Sequence, residues 1–198
     1  LQNDNNCEAC LLDYDLSLSP PPNNGQYGAG EEITFCFTVS AFEHVSANWL
    51  HGVVPTFGDG WDMTTLTNQT AAPVSCGGGG AWSWYGQQIT GTGGLQVTAG
   101  PGFFYEFTTP GVDPSNPGDN YGDTGVNSPN TCSATFCWRI TTLDANACFD
   151  GADLSVVVDT FSDSETGGFG SVACQNDPMY SFNGNLSCCT VDAMLSSN

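Results

Sequence analysis

Hydrophobic and polar residues alternate with a period of two along several segments of this chain, the pattern of β-strands that bury one face and expose the other. The clearest segments span residues 11–18, 31–42, 133–143 and 153–161. Shorter or weaker strand candidates span residues 94–98, 103–107, 179–182 and 186–195. No segment carries an apolar stripe at helical spacing for more than a turn or two, so the pattern predicts an all-β chain.

The alternation also predicts which side chains face the core. These are Leu12, Tyr14, Leu16 and Leu18 in the first segment, Ile33, Phe35, Phe37 and Val39 in the second, and Phe136, Trp138 and Ile140 in the third. Clusters of Gly, Pro, Asn and Asp separate the segments, as in antiparallel sandwiches. We therefore predict an antiparallel β-sandwich, Ig-like or jelly-roll-like, as a single elaborated domain over residues 1–198. Residues 76–86 and 111–130 are expected to form loops.

The ten cysteines are an even number and far exceed ordinary usage. This load indicates an oxidising compartment, and hence an exported protein with up to five disulfides, whose connectivity the sequence leaves open. The candidates are Cys7, Cys10, Cys36, Cys76, Cys132, Cys137, Cys148, Cys174, Cys188 and Cys189. Cys188 and Cys189 near one end, with Cys7 and Cys10 near the other, would suit a bridge that ties the termini together or joins subunits.

One Arg and 21 acidic residues give a net charge of −20. Such a chain is a poor partner for nucleic acid or anionic membranes, and it has no apolar run of membrane-spanning length. If copies assemble, bound divalent cations or glycans would have to offset their mutual repulsion. Asn68 and Asn185 each begin a sequon for N-linked sugar, a pattern short enough to arise by chance.

Calcium is the metal that the acidic loops fit best, because Ca²⁺ takes oxygen ligands from flexible, glycine-punctuated segments. The candidate ligands are Asp59, Asp62, Asp119, Asn120, Asp123, Asp163 and Glu165. The same residue types also build ordinary Asx turns, and the full EF-hand pattern is absent. No cofactor is required on either interpretation.

Five aromatic residues lie in or beside the predicted loops, where flat rings can stack on sugar faces. Trp61, Trp82, Trp84 and Tyr85 are the stacking candidates, and Trp82 and Trp84 would share one face of an extended segment; Trp49 is the fifth. The alternative is that such rings plug the ends of the sandwich.

The histidines and the single arginine are poor candidates for metal binding or catalysis. His44 and His51 are seven residues apart, a spacing that suits no common metal pair, so each is expected to be a surface residue or a hydrogen-bonded core residue. Arg139, on the polar face of a strand, is expected to pair with one or two carboxylates. No catalytic residue is identified, because the sequence singles out neither a nucleophile nor a carboxylate pair.

An ordered set of motifs resembles a module of very large, adhesin-like surface proteins of Bacteroidota, which are exported by the type IX route and associated with gliding motility. The motifs are "NWLHGVVPTFGDGWD", "GAWSWYG", "GPGFFYEF", "NPGDNYGDTG", "TFCWRITT" and "DLSVVVDTFSDSETGG", within residues 30 to 182. The resemblance implies an extracellular β-rich module in which the Trp/Gly/Asp stretch is a fold signature. It transfers no functional residue.

Two functions from different classes follow. The first is a non-enzymatic extracellular structural protein, which self-associates into a surface filament or adhesive layer and in which residues 1–20 either complete their own sheet or add to a neighbour's edge. The second is a carbohydrate-binding module that uses the tryptophans to bind glycans.

Overall fold

The computed structural model describes residues 11–42, 50–71, 80–90, 97–107, 121, 133–162 and 180–188, and all regular structure in these ranges is β. The strands are β1 (Leu11–Ser19), β2 (Gln26–Gly28), β3 (Glu32–Phe42), β4 (Leu50–Phe57), β5 (Trp61–Ala71), β6 (Gly80–Tyr85), β7 (Gln88–Thr90), β8 (Val97–Ala99), β9 (Gly102–Phe107), β10 (Ala134–Thr142), β11 (Val156–Ser162), β12 (Tyr180–Phe182) and β13 (Asn185–Ser187).

Two antiparallel sheets form the body of the protein. One has the order β1-β3-β10-β5 and the other the order β12-β11-β4-β9-β6. Aromatic rings join the two sheets across the interior. The ring centroid of Phe136 of β10 lies 4.7 Å from that of Trp82 of β6 and 5.5 Å from that of Phe103 of β9. The predicted antiparallel β-sandwich is confirmed. Two short ladders, β13 with β2 and β7 with β8, complete the described strands.

The strongest alternations are correct at the level of single residues. Ile33, Phe35, Phe37 and Val39 are at most 1% exposed, and Phe136, Trp138 and Ile140 are fully buried. These strands lie in the middle of their sheet, where one face meets the other sheet and the opposite face carries Thr, Ser and Cys. Period-two patterning is therefore strict in them.

Two other segments differ from the sequence prediction. Residues 80–85, expected to be part of a loop, form β6, which pairs with β9 along its whole length. The stretch 48–62 looks irregular in sequence, yet most of it is β4 and the start of β5. Residues 50–55 of β4 are all buried, which shows that both faces of this strand are covered and explains the lack of alternation.

A tight turn follows β1. Asn23 and Gln26 exchange two backbone hydrogen bonds of 3.0 Å, and between them Asn24 and Gly25 have φ angles of 51° and 77°. Two consecutive positive φ values define a type I′ turn, which favours Asn followed by Gly. The chain thereby reverses direction immediately after Pro20, Pro21 and Pro22.

Four of the ten candidate cysteines form two disulfides within one chain. Cys36 and Cys137 lie directly opposite each other in the β3–β10 ladder, with a Cα–Cα distance of 4.1 Å. Cys148 bonds to Cys188 and so ties the loop after β10 to the end of β13. The idea that Cys188 bridges termini or subunits is wrong, since its partner lies 40 residues away in the same chain. Cys7, Cys10, Cys76, Cys132, Cys174 and Cys189 lie outside the described residues.

Candidate functional site

Residues 58–60, between β4 and β5, build a corner between the two sheets. After β4, the Gly58 N–H donates to the Ser155 carbonyl at 2.8 Å, and the Gly60 N–H donates to the Asp153 carbonyl at 2.8 Å. The Asp59 carboxylate accepts the Asp153 N–H at 2.9 Å. These bonds hold the turn against the segment that leads into β11.

Both glycines are required by close packing. A Cβ on Gly58 would lie 2.3 Å from the Asp153 carbonyl oxygen, and one on Gly60 would lie 2.7 Å from Leu154 Cδ2. The composition of "FGDGWD" is therefore explained by a corner of the fold.

Asp59 and Asp62, two of the calcium candidates, are engaged in turn structure. Asp62 Oδ1 accepts both the Thr64 N–H at 3.0 Å and the Thr64 hydroxyl at 2.6 Å, which is an Asx turn. Among the residues that the structure describes, no group of three or more His, Cys, Asp or Glu side chains could hold a metal ion. Asp59 and Asp62 are thus better explained as acceptors of backbone N–H groups in turns than as calcium ligands. Asp119, Asn120, Asp123, Asp163 and Glu165 lie outside the described ranges, so calcium binding stays a prediction there.

Further acids along the same end of the sandwich also bond to the backbone. Asp144 Oδ1 accepts the N–H groups of Ala147 at 2.9 Å and Asn146 at 2.8 Å, and these bonds lower the pKa of the Asp144 carboxyl. Asp150 accepts the N–H of Cys188 at 3.0 Å, beside the Cys148–Cys188 disulfide. This end is fastened by carboxylates and a disulfide together.

Two of the proposed stacking platforms are core residues. Trp61 and Trp82 are only 3% and 6% exposed. Trp61 packs edge-on against Phe35 at 5.5 Å, and Trp82 packs in the same manner against Phe136 at 4.7 Å. The prediction that these rings meet a ligand is wrong, because strand geometry turns them toward the opposite sheet.

Trp84 and Tyr85 retain part of their surface. Both are half-buried on β6, an edge strand of the five-stranded sheet. Trp84 lies on the same face as Trp82, as predicted, but that face is the inner one, where Trp84 packs edge-on against Phe103 at 4.8 Å. Tyr85 packs against Phe104 at 6.3 Å. Trp49 lies outside the described residues.

A buried hydrogen-bonded pair of a histidine and a glutamate links two strands of the five-stranded sheet. His51 Nε2 of β4 lies 3.0 Å from Glu106 Oε1 of β9, and the two side chains are 0% and 1% exposed. His51 is thus a hydrogen-bonded core residue, one of the two outcomes expected for it. Sequence reasoning missed Glu106, although a lone acid within the apolar run "FFYEF" was the available signal. His44 is outside the described residues.

Tyr121 is a second core residue that the sequence did not reveal. It comes from the stretch expected to be a solvated loop, yet it is 1% exposed and packs against Trp82 and Tyr105, with ring centroids 5.1 Å from each. Burial raises the pKa of Tyr121 to about 12. A tyrosine in a polar, glycine-rich segment was the only hint.

The exposed polar positions agree with expectation. Arg139 Nη1 lies 3.2 Å from Glu32 Oε1, which confirms the predicted carboxylate partner. Asn68 and Asn185, the two sequon residues, are exposed on β5 and β13. Both amides are therefore on the surface, and glycosylation remains a prediction.

The N-terminal described strand occupies the edge of the four-stranded sheet. Among the described strands β1 pairs with β3 alone, from Leu11 opposite Phe42 to Ser19 opposite Thr34. It then enters the Pro20–Pro22 segment, where the Tyr27 hydroxyl donates to the Pro20 carbonyl at 2.6 Å. Burial, and then the charge of Glu31, raise the pKa of Tyr27 to about 12, so this hydroxyl keeps its proton at physiological pH.

These features define the class of the protein as a disulfide-stapled antiparallel β-sandwich. No protein-family model matches the chain, and no curated protein or solved structure matches it either. The resemblance to the Bacteroidota surface module stays a prediction. The two disulfides indicate a non-reducing environment. Within the described ranges, no helix has the length and hydropathy to span a membrane.

Proposed function

We propose that the protein is a non-enzymatic extracellular structural protein whose copies associate into a surface filament or an adhesive layer. The observation that carries the proposal is the edge of the four-stranded sheet, where β3 is the one partner that β1 has among the described strands. Edge strands are a common route by which β-proteins join one another, because a further strand can add to the sheet there.

The way the fold uses its reactive side chains supports a structural role. Asp59, Asp62 and Asp144 bond to backbone N–H groups, and Trp61 and Trp82 fill the core. The groups that could have served an enzyme or a ligand site in this region therefore stabilise loops and packing.

The covalent bracing also supports it. One disulfide crosses the centre of the four-stranded sheet, and the other fastens the loop after β10. Such bridges stabilise the folded state and persist in an oxidising exterior. We place the protein at the cell surface or in the secreted fraction on this basis.

The net charge of −20 opposes contact between copies. Association therefore requires screening salt, divalent cations or neutral surface glycans. The exposed sequon residues Asn68 and Asn185 are available to carry such glycans.

Sedimentation velocity of the full chain tests the proposal. We expect species larger than one chain, whose share grows with protein concentration and with salt, because salt shortens the range of the repulsion between acidic subunits. A single species of one chain's mass at every concentration and salt level would contradict self-association.

The alternative is a carbohydrate-binding module. It is favoured by one observation, the partial exposure of Trp84 and Tyr85 on an edge strand. A glycan array probed with the full chain, and with Trp84→Ala and Tyr85→Ala, tests it, and Phe149→Ala is the control because Phe149 is a 50% exposed aromatic residue on a loop. Binding lost in the first two variants and kept in the third would establish this function, and silence across the array would exclude it for the glycans tested.

A further inference from the structure

β1 supplies part of the sandwich core from the edge of its sheet. Its side chain Leu16 is 6% exposed, and Tyr14 and Leu18 pack partly buried against the core. Tyr14 lies 6.1 Å from the ring of Phe37. The opposite face of the strand carries the exposed polar residues Asp13, Asp15 and Ser17.

The strand covers residues that cannot remain open to water. Leu16 lies directly opposite Phe37, and Leu18 lies opposite Phe35, in the β1–β3 ladder. Phe35 and Phe37 are at most 1% exposed. Without β1, this groove along β3 would expose two aromatic side chains, each worth about 2–3 kcal/mol of burial.

The attachment of β1 to the rest of the chain is suited to a hinge. Three consecutive prolines, residues 20–22, follow the strand, and none of them has an N–H to pair with a sheet. The tight turn at Asn24 and Gly25 then starts the remaining fold.

We propose that β1 is exchanged between copies of this chain, with the strand of one copy filling the groove along β3 of the next. The inference rests on the proposed self-association and names its contact. An exchanged strand makes the same ladder and the same core contacts as a strand folded back on its own chain, so exchange costs little besides the entropy of association. It also buries no carboxylate, because Asp13 and Asp15 stay on the exposed face.

Exchange around the hinge explains how a strongly acidic subunit forms a specific contact. The apolar groove supplies the free energy of association, while the acidic surfaces stay apart on either side of the hinge. Because each copy both donates a strand and accepts one, the arrangement continues from copy to copy and is open-ended unless it closes into a ring.

Isotope-mixed photo-cross-linking of the full chain tests this inference. Asp15 of β1 and Thr135 of β10 both lie opposite Thr38 of β3, on its two sides. The test variant is Asp15→p-benzoylphenylalanine, and the matched control is Thr135→p-benzoylphenylalanine. Each variant is prepared with light and with heavy nitrogen, mixed in equal amounts in denaturant with its disulfides intact, returned to buffer, irradiated and digested for mass spectrometry.

Exchange predicts that about half of the cross-links from position 15 to β3 join a heavy peptide to a light one, as random pairing in an equal mixture requires. The control cross-links from position 135 stay isotopically uniform, since β10 and β3 are bonded by the Cys36–Cys137 disulfide. Uniform cross-links from position 15 as well would overturn the exchange.

Sedimentation of the same samples separates this inference from the proposed function. Assembled material with uniform cross-links overturns the exchange and leaves the structural role intact. Small swapped oligomers with mixed cross-links and no larger species support the exchange and contradict the filament or layer. Single chains with uniform cross-links overturn both.

Discussion

Two pairs between a basic side chain and a glutamate, one buried and one exposed, occur among the described residues. The pair between His51 and Glu106 is almost inaccessible to solvent, whereas Arg139 and Glu32 are 40% and 58% exposed. Removing one partner of a buried pair leaves a polar group without compensation in a medium of low dielectric constant, while exposed pairs are screened by water. The two pairs should therefore differ widely in their effect on stability.

We predict that Glu106→Ala lowers the free energy of unfolding by about 3–5 kcal/mol. Glu32→Ala should lower it by less than about 1 kcal/mol. Glu106→Gln, which keeps a hydrogen-bonding group next to His51, should fall between them. Denaturant unfolding at neutral pH measures all three variants. Equal losses of unfolding free energy for Glu106→Ala and Glu32→Ala would contradict a larger contribution of the buried pair to stability.

Asp159 of β11 gives a prediction for pH dependence. Burial raises the pKa of its carboxyl above the ordinary value of 3.8. The folded state then binds the proton more tightly than the unfolded state, so this group favours folding below pH 3.8 and loses that contribution as the pH rises through its folded pKa. At neutral pH its charge is a cost to the fold.

Asp159→Asn removes that charge and should therefore stabilise the protein at pH 7. The gain should vanish at acidic pH, where the wild-type carboxyl is protonated in both states. Urea unfolding at neutral and acidic pH measures the difference, with Asp15→Asn on the exposed face of β1 as the control. A gain that is the same at both pH values, or none at pH 7, would contradict the account.

The corner at Gly58 offers a steric prediction. Gly58→Ala would place a methyl group against the Asp153 carbonyl, 2.3 Å from its oxygen, and would force the turn away from β11. Overpacking of this kind costs about 1–3 kcal/mol. Gly86→Ala is the control, because a Cβ there has no atom within 4 Å. Thermal unfolding should show a clear loss of stability for Gly58→Ala and little change for Gly86→Ala. Equal stability of the two variants would contradict the steric requirement for glycine at position 58.

Among the strands, predictability depends on how each one is covered. β3 and β10 meet the core on one face only, so their alternation gave the correct core residues. β4 is covered on both faces and also contains Gly52 and Pro55, which sequence rules count against a strand. β6 follows a glycine run, which favours a loop. Its pairing with β9 is a contact between distant parts of the sequence, so local patterns do not predict it.

The candidate site was less predictable than the strands, for a related reason. The sequence predicts Trp61 and Trp82 beside loops, because their Gly and Asp neighbours favour turns. In the structure both rings pack inward against the opposite sheet. The partnership of His51 with Glu106 spans 55 residues and depends on the adjacency of β4 and β9. Cysteine count indicated disulfides correctly, but only the register of β3 against β10 identifies Cys36 as the partner of Cys137.

The two disulfides brace different elements, and their removal should differ accordingly. Cys36→Ala with Cys137→Ala should lower the global free energy of unfolding by about 2–5 kcal/mol. Cys148→Ala with Cys188→Ala should chiefly raise amide exchange in the loop 143–155 and in β13, while β3 and β10 stay protected. Hydrogen exchange read by mass spectrometry, combined with denaturant unfolding, distinguishes the two patterns. Increased exchange throughout both sheets in the second variant would contradict a local role.

For the whole molecule, two opposing features must be reconciled. A net charge of −20 repels other copies, whereas the proposed exchange of the edge strand β1 would join them. In the proposed arrangement the contact is confined to β1 and its groove. The repulsion between the acidic surfaces is then reduced by salt, divalent cations or glycans.

Electron microscopy of the full chain as isolated, before and after EDTA, tests the central claim most directly. The account predicts regular filaments or layers with a repeat of one subunit. If EDTA dissolves them, the acidic residues outside the described ranges become the calcium ligands at the contacts; if they persist, the strand contact suffices without metal. Dispersed particles of single-chain size, both before and after EDTA, would contradict the structural role.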